Sequence, residues 1–347
     1  GGVDAMPLLA RSFRRHVAVV DPTTLIFDVG AHLGATSDTM MALFSPLSCD
    51  SHITHGANGA ALSANGTAEQ LARLRDDVAA SLRSDDACAH ARRVRILAFE
   101  PVAANFAALN ARAAASGWVA AGWTGFCAAI SDANAEALPV YTALDAYGDQ
   151  QASLAREASY VNGEVARRQL AASGNTAHID MLPRRVENVP AFTVSEVARQ
   201  AAAATVFLLK VDVEGLDPAV LRGAEPLLRA QAIKWLVFEY NAKWRHAGND
   251  TLQAVTRRLA DCGYACYLLA PDVALPLSGA YWQPHHEHYS WSNALCGIAT
   301  SPETAAFVQA YNAPAASVRV NASDPSAAVA HAVGVLARAP LHRPACE

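Results

Sequence analysis

Carboxylates close four apolar runs in this chain, and that recurrence is its clearest chemical signal. Asp28 follows Thr24-Leu-Ile-Phe, and Glu100 follows Val94-Arg-Ile-Leu-Ala-Phe. Asp212 and Glu214 follow Phe207-Leu-Leu-Lys210-Val, and Glu239 follows Trp235-Leu-Val-Phe. Short apolar runs of this kind read as buried strands, and in an open α/β sheet ligands sit beyond the carboxyl ends of the strands. A carboxylate there can accept two hydrogen bonds from a diol or take a proton from a reacting group. Strand alternation puts Lys210, Asp212 and Glu214 on one side of the chain as it leaves the core. Such groups are costly at a buried strand unless paired or functional, so Lys210 either bonds one of these acids or works beside them.

The first run ends in Asp28-Val-Gly30-Ala31-His32-Leu-Gly34, and a helix beginning near Ala35 follows. Glycines at such a bend let the backbone approach a ligand, and the helix start offers free N–H groups. An acid ahead of the first glycine suits a cationic or hydroxyl-rich ligand better than a pyrophosphate. The spacing is therefore closer to an S-adenosylmethionine loop than to the Gly-x-Gly-x-x-Gly dinucleotide fingerprint. A ribose-binding acid is expected about 20 residues beyond the turn. Glu100 lies 66 positions after Gly34, and removing the 49 residues 45–93 leaves 17. Rich in Ser, Ala, Gly and Asp, that stretch reads as an insertion.

These residues need a scaffold, and the chain supplies alternating strand and helix patterns. Strands are expected at 24–29, 94–99, 125–130, 205–212, 234–240, 264–269 and 293–298. Helices are expected at 35–44, 103–115, from Asp217 to about 228, and at 250–262. Asp217 can act as N-cap, with Pro218 in the first turn. Residues 132–206 read as irregular, with a strand-like 138–141, a helical 153–170 and an extended 189–193. A short basic helix leads in at 8–20, and the alanine-rich tail suggests surface helices at 304–311 and 326–338. The domain reading is a lead-in over 1–23, one α/β domain over 24–300 carrying the insertion, and a helical tail over 301–347.

With 347 residues, 52% hydrophobic and 17% charged, the chain can bury a substantial core. A net charge of −5 gives no general attraction to nucleic acid or to an anionic membrane. No apolar run is long enough to span a bilayer, although the first residue is Gly and an upstream segment could precede it. The seven cysteines show neither Cys-x-x-Cys nor zinc spacing. Cys49 and Cys88 flank the insertion and either bridge it or stay free. With sequons at Asn65, Asn249 and Asn321, this leans toward a secretory lumen. The sequence leaves the oligomeric state open.

Taken together, Phe27-Asp-Val-Gly-Ala-His-Leu-Gly34, Phe99-Glu-Pro101 with Asn105, Ala129-Ile-Ser131-Asp132, Lys210-Val-Asp-Val-Glu-Gly215, Val220-Leu-Arg-Gly-Ala224 and Phe238-Glu-Tyr240 resemble the FkbM-type methyltransferases. The departures are the insertion, the long 132–206 segment, and His32 where that family more often has Asn. The resemblance implies a doubly wound, Rossmann-like α/β fold with a mostly parallel sheet and an antiparallel last strand. It implies S-adenosyl-L-methionine (SAM) as cofactor and a hydroxyl of a glycan or small natural product as acceptor. Asp28, Gly30, Ala31 and Gly34 would form the turn at the methionine end. Glu100 would take the ribose, with Pro101 and Asn105 also at the cofactor site, and Ser131 and Asp132 would meet the adenine edge. Asp212 and Glu214 would face the methyl-transfer region, supported by Lys210, Glu239 and Asn241.

Two rivals stay open at this level: a nicotinamide-dependent oxidoreductase on a related sheet, and a SAM-binding module without activity. The first should carry the dinucleotide fingerprint, which Asp28 and His32 interrupt. No metal site is expected. The run His285-His286-Glu287-His288 either is a solvated loop, offers one imidazole as a base, or binds a metal without a regular face to present it.

Overall fold

The computed structural model describes residues 24–44, 94–143, 152–154, 184–248, 250–270 and 273–312, together with Leu9. The insertion at 45–93, the Cys49–Cys88 pair, the three sequon asparagines, the rest of the lead-in, the helical pattern from 155 onward and the tail helix at 326–338 lie outside the described residues.

The main sheet has eight strands: β1 (Thr24–Val29), β2 (Val94–Phe99), β3 (Trp123–Phe126), β7 (Thr205–Val211), β8 (Ile233–Tyr240), β9 (Tyr264–Ala270), β10 (Val273–Pro276) and β11 (Ser292–Ile298). Their order is β10-β9-β11-β8-β7-β1-β2-β3. The four ladders joining β3, β2, β1, β7 and β8 are parallel, and the three joining β8, β11, β9 and β10 are antiparallel. The expectation of a mostly parallel sheet with one antiparallel strand is thus only partly right. The sheet is mixed, because β11 returns antiparallel between β8 and β9, and β10 folds back as a hairpin on β9.

Both faces of the sheet are buried, which explains the continuous apolar runs. Leu25, Phe27, Val29, Leu209, Val211, Leu236 and Phe238 point into one core. Ile26, Ile96, Leu208, Trp235 and Val237 point into the other. Helices α1 (Ala35–Phe44), α2 (Ala103–Ala115) and α8 (Pro302–Tyr311) add Met40, Leu109 and Phe307 to the second core. Helices α3 (Val194–Gln200), α4 (Asp217–Gly223), α5 (Glu225–Arg229) and α7 (Leu252–Asp261) add Val197, Val220, Leu228 and Val255 to the first. A four-residue helix, α6 (Trp244–Ala247), follows β8.

The segment expected to be one helix from Asp217 to 228 is broken, because Pro226 cannot donate a backbone hydrogen bond to the turn before it. Asp217 is the first helical residue rather than the N-cap, which is Leu216.

The segment read as irregular builds a second sheet. Strands β4 (Ala129–Ile130), β5 (Ala135–Ala143) and β6 (Arg184–Phe192) pair in the order β4-β6-β5. The single strand expected at 125–130 is accordingly split, with β3 in the large sheet and β4 in the small one. Glu187 of β6 accepts the backbone N–H of Ala103 at 2.9 Å, docking the small sheet against the start of α2.

Cys266 and Cys296, which the sequence did not single out, form a disulfide between β9 and β11. Strand register sets these two residues directly opposite each other, a proximity that linear spacing does not reveal. Cys127 and Cys262 are free and buried.

Candidate functional site

Strand register builds the site. Phe99, Val29, Val211 and Phe238 form one row across β2, β1, β7 and β8. All four side chains enter the same core. The next residue on each strand is therefore Glu100, Gly30, Asp212 or Glu239, and all four line one cavity of about 560 Å³. Its wall is completed by Ala31, His32 and Pro101, by Ala129, Ile130 and Val140 of the small sheet, and by Ser153, Glu214, Asn241, Lys243, Tyr289 and Trp291.

One end is shaped by the glycine turn. Gly30 has φ +75°, and a Cβ there would lie 1.8 Å from the carbonyl oxygen of Asp212. His32 also has a positive φ, +50°, a conformation that His and Asn tolerate better than most side-chain-bearing residues. It aims the His32 backbone N–H at Glu100, 2.8 Å away, while Val102 N–H reaches the other carboxylate oxygen at 3.0 Å. Burial pushes the Glu100 carboxyl up to about 7, against the opposing pull of the Val102 and His32 N–H groups, the Asn105 side chain and the Lys210 charge.

Asp28, Gly34, Asn105, Ser131 and Asp132 do not line this cavity. Asp28 is fully buried; it accepts the Ser37 hydroxyl at 2.6 Å and pairs with Lys210 at 3.0 Å. Asp132 pairs with Arg222 at 3.1 Å, and Arg222 also reaches Asp250 at 2.9 Å. A Cβ on Gly223 would lie 2.1 Å from the Ser131 carbonyl oxygen, so the Leu-Arg-Gly-Ala segment packs directly on that loop.

The other end gathers the remaining acids. Lys210 donates to the carbonyl oxygens of Gly30 at 2.8 Å and Val29 at 3.3 Å, and lies 3.8 Å from Asp212. Burial works against its charge, but Asp28 and Asp212 outweigh that penalty and hold the ammonium above its usual range. Lys210 is thus paired, chiefly with Asp28, and clamps the turn. The chain turns after Val211, and Glu214 adopts φ +58°, so simple alternation does not carry through to it. Glu214 pairs with Lys243, and its backbone carbonyl accepts the Ser153 hydroxyl at 3.2 Å.

Glu239 accepts a hydrogen bond from Asn241 at 2.7 Å, and the nearby Trp291 side chain favours its charged form. Burial, together with the charges of Asp212, Asp217 and Glu214, pushes Glu239 up to about 9. Asp217, behind the cluster and fully buried, is pushed up to about 8, first by burial and then by Asp212. At neutral pH these two are mainly protonated. Asp212 is the cavity acid least committed to the protein, with its side chain 43% exposed.

The chain matches the family model of the methyltransferase FkbM domain over residues 28–266. The chain belongs to the FkbM methyltransferase family. No curated protein and no solved structure matches it. The FkbM span begins at Asp28 and includes every acid of the cavity. Tyr289 and Trp291 lie beyond it.

Among the described residues of this methyltransferase, one group could hold a metal ion: oxygens of Asp212, Glu214 and Glu239 all lie within 4.8 Å of one another. No metal site was expected from the sequence, and Lys210 and Lys243 already neutralise part of that charge. The histidine run is turn-forming instead. His286 and His288 accept the backbone N–H groups of Gln283 and Ser290 through Nδ1, and Glu287 accepts the backbone N–H groups of Leu252 and Gln253 at the start of α7. No described helix is long and apolar enough to cross a membrane.

Sequence reasoning missed Ser153, Lys243, Tyr289 and Trp291 as cavity residues. Glu239-x-Asn241-x-Lys243 carries a period-2 signal, and Trp291 is an isolated aromatic between two serines.

Proposed function

We propose that this methyltransferase uses SAM and methylates a hydroxyl oxygen of a glycan or small natural product. The observation that carries this reading is the aligned exit of Glu100, Gly30, Asp212 and Glu239 into one cavity. The residues suit a nucleoside cofactor: Glu100 offers a carboxylate at the wall, Gly30 and Ala31 present backbone there, and the buried Nε2 of His32 has no hydrogen-bond partner. Glu100 would hold the ribose, with Gly30, Ala31 and His32 cradling the rest. When bound, SAM supplies a methyl group already activated by its sulfonium.

The chain's own contribution is then positioning and proton transfer. Asp212 would accept the proton of the acceptor hydroxyl, while bound SAM would supply the methyl group and leave as S-adenosylhomocysteine. Protonated Glu239 donates a hydrogen bond that orients the acceptor. Lys210 and Lys243 hold the flanking acids in place. The Cys266–Cys296 bridge supports work in an oxidising compartment such as a secretory lumen.

Calorimetry with SAM, S-adenosylhomocysteine and NAD, followed by an acceptor screen scored by S-adenosylhomocysteine release, tests the reading. SAM and S-adenosylhomocysteine should bind and NAD should not. Binding of NAD alone would overturn it.

A further inference from the structure

Trp291 is 63% exposed although it borders the cavity. A large indole left in water beside a pocket is unusual, because tryptophan is normally well buried. Its setting is not loose. Ser292, the next residue, begins β11 in register with Tyr240. Tyr289, two residues earlier, is held by its backbone N–H to the Tyr240 hydroxyl at 3.0 Å and by the Arg245 guanidinium 3.7 Å above its ring. The Trp291 side chain lies beside Glu239, with its ring exposed at the cavity mouth. Glu239, Asn241 and Asp212 line the same cavity.

We propose that Trp291 is the platform on which the acceptor ring stacks, and that this ring is a saccharide. The inference rests on the methyl-transfer reading and adds to it a specificity-determining residue outside the span that matches the family. A pyranose has an apolar C–H face for the indole and an edge of hydroxyls for the acids and the amide. A flat aromatic acceptor would use the indole but would offer Asp212 and the outer edges of Glu239 and Asn241 fewer hydroxyls to bond than a pyranose does. Stacking would direct one ring hydroxyl toward Asp212.

The test uses the full-length protein loaded with S-adenosylhomocysteine, so that no turnover intervenes. Methyl glycosides of neutral, deoxy and acidic hexoses are compared with catechol and cyclohexanol. Binding is followed by acrylamide quenching of tryptophan fluorescence and by saturation-transfer NMR. At least one glycoside should shield Trp291 from acrylamide and show saturation concentrated on the protons of one ring face. Trp291→Ala should weaken that glycoside about tenfold, from lost stacking and contact, with S-adenosylhomocysteine affinity unchanged. Trp291→Phe, which keeps a ring but loses the N–H, should stay within a few-fold of wild type. Glycoside binding unaffected by Trp291→Ala, binding of catechol in place of every glycoside, or no glycoside binding by protein that holds S-adenosylhomocysteine would each overturn the proposal. Failure to hold S-adenosylhomocysteine at all would overturn it together with the cofactor reading beneath it.

Discussion

Gly30 and Asp212 meet backbone to backbone: a side chain on the first would overlap the carbonyl oxygen of the second. The Asp212 backbone N–H also donates to the Val29 carbonyl at 3.1 Å. The glycine turn and the acid proposed as the base are therefore one braced unit, held by Lys210 on the Gly30 carbonyl. A distortion at either residue is felt at the other.

Gly30→Ala tests that unit. A left-handed backbone alone should cost about 1–3 kcal/mol for a residue with a side chain, and the overlap adds to it. Gly117→Ala is the control, because Gly117 has φ +71° and a Cβ added there would meet nothing within 4 Å. Urea unfolding should show the Gly30 variant to be clearly less stable than the Gly117 variant. Equal losses would mean that the contact with Asp212 is readily relieved.

Glu100 should make cofactor binding depend on pH. Its carboxyl is pushed up to about 7 by burial, so the acceptor form prevails above that pH and fades below it. SAM affinity should fall as pH drops from about 8 to 6, and Glu100→Gln should flatten that profile. Glu100→Ala should weaken binding by about 1.5–3 kcal/mol, the range for hydrogen bonds to a charged group. Calorimetric affinity unchanged by Glu100→Ala would remove Glu100 from the cofactor site.

Folding stability should carry a related signature. Burial moves Glu100, Asp217 and Glu239 from their ordinary values of 4.5, 3.8 and 4.5 to about 7, 8 and 9 in the folded protein. The native state thus holds more protons than the unfolded chain between these limits, and stability falls with rising pH wherever that is so. Urea midpoints of the cofactor-free protein should decline from pH 5 to pH 9. A midpoint that rises across that window would contradict the burial of these acids.

How far the sequence could be read follows from how local each feature is. β1, β2, β7 and β8 were legible because both faces of each are buried, leaving unbroken apolar runs that stop at an acid. The small sheet was legible only in pieces, at strand-like 138–141 and at 189–193, because β5 contains Pro139 and its partner β6 lies far along the chain. The roles of Lys210 and Glu214 were only half legible, because Lys210 turns back to Asp28 and Glu214 takes a left-handed backbone conformation. Trp291 reaches the cavity only through the β8–β11 register, a long-range fact that spacing does not encode. The same holds for the disulfide.

Cys266–Cys296 should contribute measurably to stability. A cross-link of this kind contributes typically about 2–4 kcal/mol, chiefly by restricting the unfolded chain. Cys296→Ser should lower the thermal midpoint, and a reducing agent should shift the wild type but not the variant. If the wild type is indifferent to reduction after complete thiol conversion, the bridge is not stabilising.

Asp212 is the residue on which the proposed chemistry turns. It lines the cavity and is the least internally committed of the acids there, with Lys210 3.8 Å away. Glu214 is paired with Lys243, and Glu239 is mainly protonated at neutral pH. Asp212→Asn keeps the shape and removes the proton acceptor. Turnover should fall about 10²–10⁴-fold, the usual worth of general acid–base assistance, while SAM affinity changes little. Single-turnover methyl transfer measured beside calorimetric SAM binding separates the two effects. Because the same oxygens could gather around a cation, the assay is repeated after exhaustive chelation and with added magnesium or manganese. A base role predicts activity indifferent to chelation. Loss on chelation and recovery with metal would instead make Asp212, Glu214 and Glu239 ligands that polarise the acceptor oxygen. Full turnover by Asp212→Asn would leave Asp212 a structural role beside Gly30.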